Sequence, residues 1–200
     1  MKQFIVLFTV FAMLAFISKN NPLPIGSNLP AATQIMKDAN GKKYAFNDVK
    51  QQNGLLVIFS CNTCPWVINN QTVAKEIAAY ALANKIGVIV LNSNEAQRET
   101  DDAPEAMKRY AKAQDYQYPY VIDQNAEMAD LFGAKVTPEC YLFDKNNKLV
   151  YHGAINDNPK TPANATRNHL QIAIDEIVSG KSVEVTTSKA MGCNIKRKTP

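Results

Sequence analysis

Histidine is scarce in this sequence, and a second Cys-x-x-Cys motif is absent. The chain has 200 residues with 2 histidines and 4 cysteines. Cys61 and Cys64 have the Cys-x-x-Cys spacing. A structural zinc site takes four Cys or His ligands, so it would need a further pair at suitable spacing. His152 and His169 stand alone in the sequence. We therefore expect no metal site.

A large excess of charge is also missing. The formal net charge is +4, and part of it comes from the basic residues 196–198 near the end of the chain. Nucleic-acid-binding domains usually concentrate many more basic residues on one face, so we expect no nucleic-acid partner. The composition, with 46% apolar and 20% charged residues, is that of an ordinary globular domain.

Long hydrophobic runs are absent apart from residues 4–17, which follow Met1 and Lys2. This run is short for a membrane span. A positive charge, a short apolar run and a polar exit containing Pro22 are typical of a secretory signal peptide. We predict a signal peptide at 1–18, with an uncleaved anchor or a buried helix as alternatives. Export to the periplasm or secretion follows, without stable membrane insertion after cleavage, and 19–33 is expected to form an exposed lead-in.

Two continuous apolar runs, 55–59 and 86–91, indicate strands that are covered on both faces. The segment 65–84 between them is rich in helix formers. The pattern predicts a βαβ unit with a right-handed crossover. We therefore predict an α/β fold with a central mixed β-sheet, helices on both faces and a β extension at the N-terminus.

The remaining pattern extends this sheet. It predicts a domain at 34–182 and a C-terminal tail at 183–200. We expect Asp102 to cap a helix and Gly133 to end another. The further predicted elements are an edge strand at 41–46, a strand at 120–122, a helix at 127–132, a hairpin of 141–143 with 149–151, and a helix at about 164–179.

The motif that carries chemistry is Ser-Cys-Asn-Thr-Cys-Pro-Trp, residues 60–66. Its first cysteine follows a predicted strand and precedes a predicted helix, whose positive end stabilises a thiolate. We predict that Cys61 has a lowered pKa, is the better exposed of the two and attacks a disulfide, and that Cys64 resolves the mixed disulfide. Trp66 is expected to pack beside the pair or to shape a contact surface.

The chain resembles the thioredoxin-like superfamily, in its redoxin (peroxiredoxin-like) branch of thiol:disulfide interchange proteins. The similarity runs from about 27 to 198. This resemblance implies a thioredoxin fold, catalytic roles for Cys61 and Cys64, and a cis peptide bond before Pro138. It also implies that Thr137 and Pro138 face the cysteines and that the Thr137 backbone pairs with an extended substrate segment. The stretches that carry it are 59–67, 91–94, 137–144, 151–157 and 192–196.

Together with the predicted signal peptide, this resemblance implies an exported thiol–disulfide oxidoreductase without metal or organic cofactor, acting on protein thiols or disulfides or on a redox partner protein. A thiol peroxidase is one alternative, although the Thr or Ser that peroxiredoxins place three residues before the reactive cysteine is replaced here by Ile58. A non-catalytic binding module is the other.

The two remaining cysteines have separate expectations. We expect Cys140, in a predicted strand, to be a buried free thiol. Cys193, in the tail, is a possible auxiliary thiol that folds back towards Cys61 and Cys64, pairs with Cys140, or lies elsewhere on the surface.

Overall fold

A computed structural model describes residues 21–198, so the predicted signal peptide, 1–18, lies outside the described residues. The helices and strands are β1 (Met36–Asp38), β2 (Lys43–Tyr44), α1 (Phe46–Val49), β3 (Gly54–Ser60), α2 (Pro65–Asn69), α3 (Gln71–Ala83), β4 (Ile86–Asn92), α4 (Pro104–Ala113), β5 (Tyr120–Ile122), α5 (Glu127–Phe132), β6 (Val136–Thr137), β7 (Glu139–Asp144), β8 (Leu149–Gly153), α6 (His169–Val178) and β9 (Cys193–Asn194).

The main sheet is mixed. Its strand order is β2-β1-β5-β4-β3-β7-β8. The central strands β3, β4 and β5 run parallel, while β7 pairs antiparallel with β3 and with β8. This arrangement confirms the predicted βαβ unit, the hairpin and the thioredoxin-like α/β class. The strands β1 and β2 form the predicted N-terminal β extension.

Successive residues of β3 enter two different cores, which explains its continuous apolar run. Leu55, Val57 and Phe59 belong to one hydrophobic cluster, and Leu56 and Ile58 belong to the other. The first cluster is covered by α1 and α5, and the second by α3, α4 and α6. Each strand side chain is therefore removed from water on one face or the other, as expected for a sheet with helices on both sides.

Three helices differ from the sequence-based prediction in where they begin or break. The helix predicted at 65–84 is broken at Asn70, whose side-chain amide donates to the carbonyl oxygen of Pro159 at 2.8 Å. Asp102 does not cap α4: Ala103 is the N-cap residue, and the Asp102 carboxylate turns inward instead. The last helix begins only at His169, after a short 3-10 turn.

Both ends of the described segment, 21–198, pack against the sheet. The predicted exposed lead-in is partly buried, since Leu23 and Leu29 join the core cluster that contains β3. In the tail, Ser188 donates its backbone N–H to the His152 carbonyl of β8 at 3.0 Å, and Ile195 is buried in the same core cluster. The predicted domain limits, 34–182, stay a prediction. Within the part of the chain described here, every helix is too short or too polar to cross a membrane.

Candidate redox site

The two cysteines of the motif lie where β3 ends and α2 begins. Cys61 directly follows the last residue of β3, and Cys64 is the N-cap residue of α2, with Pro65 in the first helical turn. Proline is accepted there because the first helical N–H groups have no partner within the helix. The expectation that Cys61 is the better exposed thiol is wrong: it is 2% exposed and Cys64 is 4% exposed.

Thr137 lies against both sulfur atoms. Its peptide bond to Pro138 is cis, as the resemblance implies. The Thr137 hydroxyl is 3.3 Å from Sγ of Cys61, and the Thr137 carbonyl oxygen is 3.4 Å from Sγ of Cys64. The predicted meeting of the Cys-x-x-Cys motif with the Thr-Pro loop is therefore confirmed.

Cys64 is joined by a disulfide bond to Cys193, with a Cα–Cα distance of 6.1 Å across a sequence separation of 129 residues. The tail thus folds back to the Cys-x-x-Cys motif, which was one of the predicted possibilities. The pairing of Cys193 with Cys140 is wrong, because Cys140 is a buried free thiol in β7, as expected. Cys61 is also a free thiol.

The tail occupies the backbone edge that was expected to hold a substrate segment. Strand β9 pairs antiparallel with β6, with Cys193 opposite Thr137 and Asn194 opposite Val136. A Cβ atom on Gly192 would lie 2.1 Å from the Thr137 carbonyl oxygen. Glycine is therefore required for this close approach of two backbones.

The pKa of Cys61 is raised, so the predicted lowering is wrong. Burial is the main cause, because it disfavours the charged thiolate. The Thr137 hydroxyl opposes the shift by hydrogen bonding, the Asp102 carboxylate adds to it, and the backbone N–H groups of Thr63 and Cys64 act in the lowering direction. Cys61 precedes the helix by several residues, so the helix terminus does not outweigh its burial.

A buried polar network, which the sequence analysis missed, positions the loop between the two cysteines. The Asp102 carboxylate accepts hydrogen bonds from the Asn62 backbone N–H at 2.9 Å, from the Asn92 side chain at 2.7 Å and from the Asn94 side chain at 2.8 Å. Asn94 also accepts from the Lys196 backbone N–H at 2.8 Å. One carboxylate thus connects the motif loop to the tail.

A sequence signal for this network exists. Asn92 and Asn94 come directly after the apolar run of β4, beside the strand that leads to the motif. Because the carboxyl ends of parallel strands meet at one edge of the sheet, polar residues there are candidates for a site. The contribution of Asp102 has no such local signal.

A second set of buried hydrogen bonds, also not predicted from the sequence, positions the loop that contains Thr137 and Pro138. The buried Glu139 carboxylate accepts from the backbone N–H groups of Lys135 at 2.8 Å and Val136 at 3.1 Å. His152 lies 2.6 Å from the other carboxylate oxygen, and the Tyr141 hydroxyl donates to that oxygen. Burial tends to raise the pKa of Glu139, but the hydrogen bonds from His152 and the backbone outweigh it, and the pKa is lowered.

Apolar side chains lie beside the cysteines. Trp66 is half-buried and packs against the cluster of Cys61, Cys64 and Val67, so both of its predicted roles are compatible with its position. Ile68, in the same helix, is 57% exposed. The large groove between α3 and the segment 160–171 has no cysteine in its lining. Among the described residues, no three His, Cys, Asp or Glu side chains are grouped to hold a metal ion.

Comparison with known proteins gives the following similarities. The family model described as Redoxin matches residues 24–168. A hypothetical protein from Sinorhizobium meliloti 1021 is 31% identical with a TM-score of 0.81, over 90% of this chain and 98% of that one. An uncharacterized conserved protein from Geobacillus kaustophilus is 30% identical with a TM-score of 0.82, over 88% and 94%.

A peroxidoxin from Mycobacterium tuberculosis shares the fold, at 12% identity and a TM-score of 0.54, over 78% of this chain and 94% of that one. A search of curated proteins finds no match to the chain.

Proposed function

The chain belongs to the redoxin family, and from that premise we propose that it is an exported thiol–disulfide oxidoreductase that uses Cys61 and Cys64. The observation that carries the proposal is that a free thiol, Cys61, and a disulfide-bonded cysteine, Cys64, both contact the same residue, Thr137. Cys61 and Cys64 both lie against Thr137, and Cys64 is already half of a disulfide. Thiol–disulfide exchange needs such an arrangement, since a thiolate must approach a bonded sulfur.

The reaction assigns one task to each cysteine. In the reduced enzyme, the Cys61 thiolate attacks a sulfur of the substrate disulfide, one substrate sulfur leaves as a thiolate, and a mixed disulfide forms. The Cys64 thiolate then attacks Sγ of Cys61, releasing the second substrate thiol and forming the Cys61–Cys64 disulfide. Thr137 stabilises the attacking thiolate by donating its hydroxyl hydrogen. The substrate is reduced by two electrons and the cysteine pair is oxidised by two.

Export is part of the proposal because of two features. The N-terminal apolar run has the form of a signal peptide. A disulfide between Cys64 and Cys193 suits an oxidising compartment. Fractionation of the native host, with the mature N-terminus determined by mass spectrometry, tests this part of the proposal: recovery of the uncleaved chain from the cytoplasm would contradict it.

Reduction of insulin in the presence of dithiothreitol tests the activity. We expect Cys61→Ser and Cys64→Ser to fall to the rate of dithiothreitol alone. Cys140→Ala is the matched control, because Cys140 is a free, fully buried cysteine in the core cluster around α3 and α6. Full activity in Cys61→Ser would refute the assignment of the attacking thiol.

Two further assays decide between the proposal and the peroxidase and binding-module alternatives. Consumption of hydrogen peroxide that depends on Cys61, without insulin reduction, would favour a peroxidase. Sub-micromolar binding of Cu(I) or Zn(II) without any disulfide exchange would favour a module.

A further inference from the structure

The C-terminal tail places a third sulfur at the site by contacts that do not depend on the disulfide. Ile195 donates its backbone N–H to the Lys135 carbonyl at 2.9 Å, and its side chain is 6% exposed in the core. Arg197 forms an ion pair with Asp130 at 2.8 Å. These contacts lie just after Cys193.

Contacts before Cys193 hold the tail as well. The Ser188 hydroxyl accepts from the Ala154 backbone N–H at 2.9 Å, and the Ser188 backbone N–H donates to the His152 carbonyl at 3.0 Å. Because the chain is fixed on both sides, Cys193 stays close to Thr137 when its sulfur is reduced. Because the Cys193 thiol is tethered beside the site, its reaction with the other cysteines is intramolecular and its effective concentration there is high.

The three cysteine residues differ in their exposure to solvent. Cys61 is 2% exposed and Cys64 is 4% exposed, whereas Cys193 is only half-buried and packs on the outside of the cluster formed by Cys61, Cys64 and Val67. A small reagent therefore reaches Cys193 more readily than either of the other two.

We propose that Cys193 is a third redox-active cysteine and that the oxidised protein interconverts two internal disulfides, Cys64–Cys193 and Cys61–Cys64. This inference rests on the proposed function, since it uses Cys61 as the attacking thiol. It extends that function by making the tail an internal substrate. Strand β9 pairs with the Thr137 edge in the way in which an extended substrate would be bound by strand addition.

The exchange step balances within the chain. The Cys61 thiolate attacks Sγ of Cys64, the Cys64–Cys193 bond breaks, the Cys61–Cys64 bond forms, and Cys193 leaves as a thiolate. The proton that Cys61 releases to water is matched by the one that Cys193 takes up. One disulfide replaces another, so no external oxidant or reductant is needed.

Native alkylation of the oxidised protein tests the proposal. The protein, freed of reductant, is incubated with iodoacetamide, and its modified peptides and disulfides are mapped by mass spectrometry at intervals. We expect modification to accumulate at Cys193, together with a Cys61–Cys64 disulfide. The rate should fall at least tenfold in Cys61→Ser and stay unchanged in Cys140→Ala.

Three results would overturn the inference. They are an unmodified Cys193 after prolonged incubation, an equal rate of Cys193 modification in Cys61→Ser, and direct modification of Cys61 with the Cys64–Cys193 bond intact. If Cys61→Ser does not fold, Cys193→Ser serves in its place. Oxidation of Cys193→Ser by diamide should produce a Cys61–Cys64 disulfide, and its absence would refute the exchange.

The alkylation experiment is independent of any external substrate, so the two proposals fail separately. Cys193 modification without insulin reduction would leave the internal exchange and refute the oxidoreductase assignment. Insulin reduction that depends on Cys61, with Cys193 never modified, would leave the oxidoreductase and refute the third redox cysteine.

Discussion

The hydroxyl of Thr137 lies 3.3 Å from Sγ of Cys61, although 76 residues separate the two in the chain. Burial of Cys61 penalises its thiolate, and this hydroxyl is the largest of the influences that oppose the penalty. Thr137 is therefore more than a residue that precedes a cis proline. Its side chain favours ionisation of the Cys61 thiol against the effect of burial, while its backbone pairs with the tail.

Replacing Thr137 by valine should make Cys61 less reactive. The change removes a hydrogen bond to the thiolate, and a hydrogen bond to a charged group contributes about 1.5–3 kcal/mol. We expect the pKa of Cys61 to rise further, because its thiolate loses this hydrogen bond. The rate of Cys61 alkylation at pH 7 should fall about tenfold or more, since about 1.4 kcal/mol corresponds to a factor of ten in an equilibrium constant.

The measurement uses the double variant Cys64→Ser with Cys193→Ser, in which Cys61 cannot exchange. Thr137→Ser is the matched control because it keeps the hydroxyl. An equal loss of reactivity in the serine and valine variants would contradict the assigned role.

The alkylation rate of Cys61 should keep rising with pH above the pH at which the rate of an ordinary thiol levels off. Only the thiolate reacts, so the rate increases about tenfold per pH unit until the pKa is passed. Burial raises the pKa of Cys61 above its ordinary value. The facing tyrosines, Tyr110, Tyr116 and Tyr120, stay uncharged because their pKa values are also raised by burial.

Alkylation of the same double variant between pH 6 and 10, with glutathione in the sample as the reference thiol, measures this. The glutathione rate should level off first. A Cys61 rate that levels off at a lower pH than the glutathione rate would show a lowered pKa and contradict the prediction.

Replacing Asp102 by asparagine should increase the reactivity of Cys61 and reduce stability. The charge of Asp102 adds to the raised pKa of Cys61, so its removal lowers that pKa. The same carboxylate is fully buried and accepts hydrogen bonds from Asn62, Asn92 and Asn94. An asparagine presents an amide group to some of these donors, and we expect a loss of about 1–3 kcal/mol in the free energy of unfolding.

Urea unfolding and the alkylation rate give the two quantities. Asp101→Asn is the matched control, because Asp101 is exposed and binds Asn62 through its backbone carbonyl rather than its carboxylate. Slower alkylation in Asp102→Asn would be the opposite of what is expected.

Local sequence patterns predicted the part of the site that is formed by consecutive residues of the chain. The run that becomes β3, the cysteine motif and the proline of α2 follow one another in the chain, and their order alone indicates a strand, a loop and a helix. The cis bond at Pro138 came from the resemblance. What the sequence did not determine was the partner of Cys64, since four cysteines can pair in several ways and the bond spans 129 residues.

The prediction that the pKa of Cys61 is lowered is wrong for a related reason. The helix terminus can be predicted from sequence, but the pKa of Cys61 depends on contacts with Thr137 and the tail and on the charge of Asp102, which all come from distant parts of the chain. Desolvation outweighs a helix terminus that begins only after Cys64. The sign of a pKa shift is thus set by tertiary contacts.

The tail should contribute to global stability. Ile195 is 6% exposed in the core that contains β3, and truncation of a buried isoleucine to alanine costs about 2–5 kcal/mol. Ile35→Ala is the matched control because Ile35 is 54% exposed, and an exposed substitution costs within about 0.5 kcal/mol. Urea unfolding of both variants under reducing conditions excludes any contribution from the disulfide. Equal stabilities would show that the tail is not part of the core.

Replacing Gly192 by alanine should weaken the Cys64–Cys193 disulfide selectively. The new Cβ would lie 2.1 Å from the Thr137 carbonyl oxygen, so β9 must move away from β6. Such overpacking costs about 1–3 kcal/mol, which corresponds to about 5- to 150-fold in an equilibrium constant. In glutathione redox buffers, the fraction of the Cys64–Cys193 form should fall accordingly, while the Cys61–Cys64 form gains. Met191→Ala is the control, since Met191 is exposed. An unchanged distribution of disulfides in Gly192→Ala would mean that strand pairing with Thr137 does not hold Cys193 at the site.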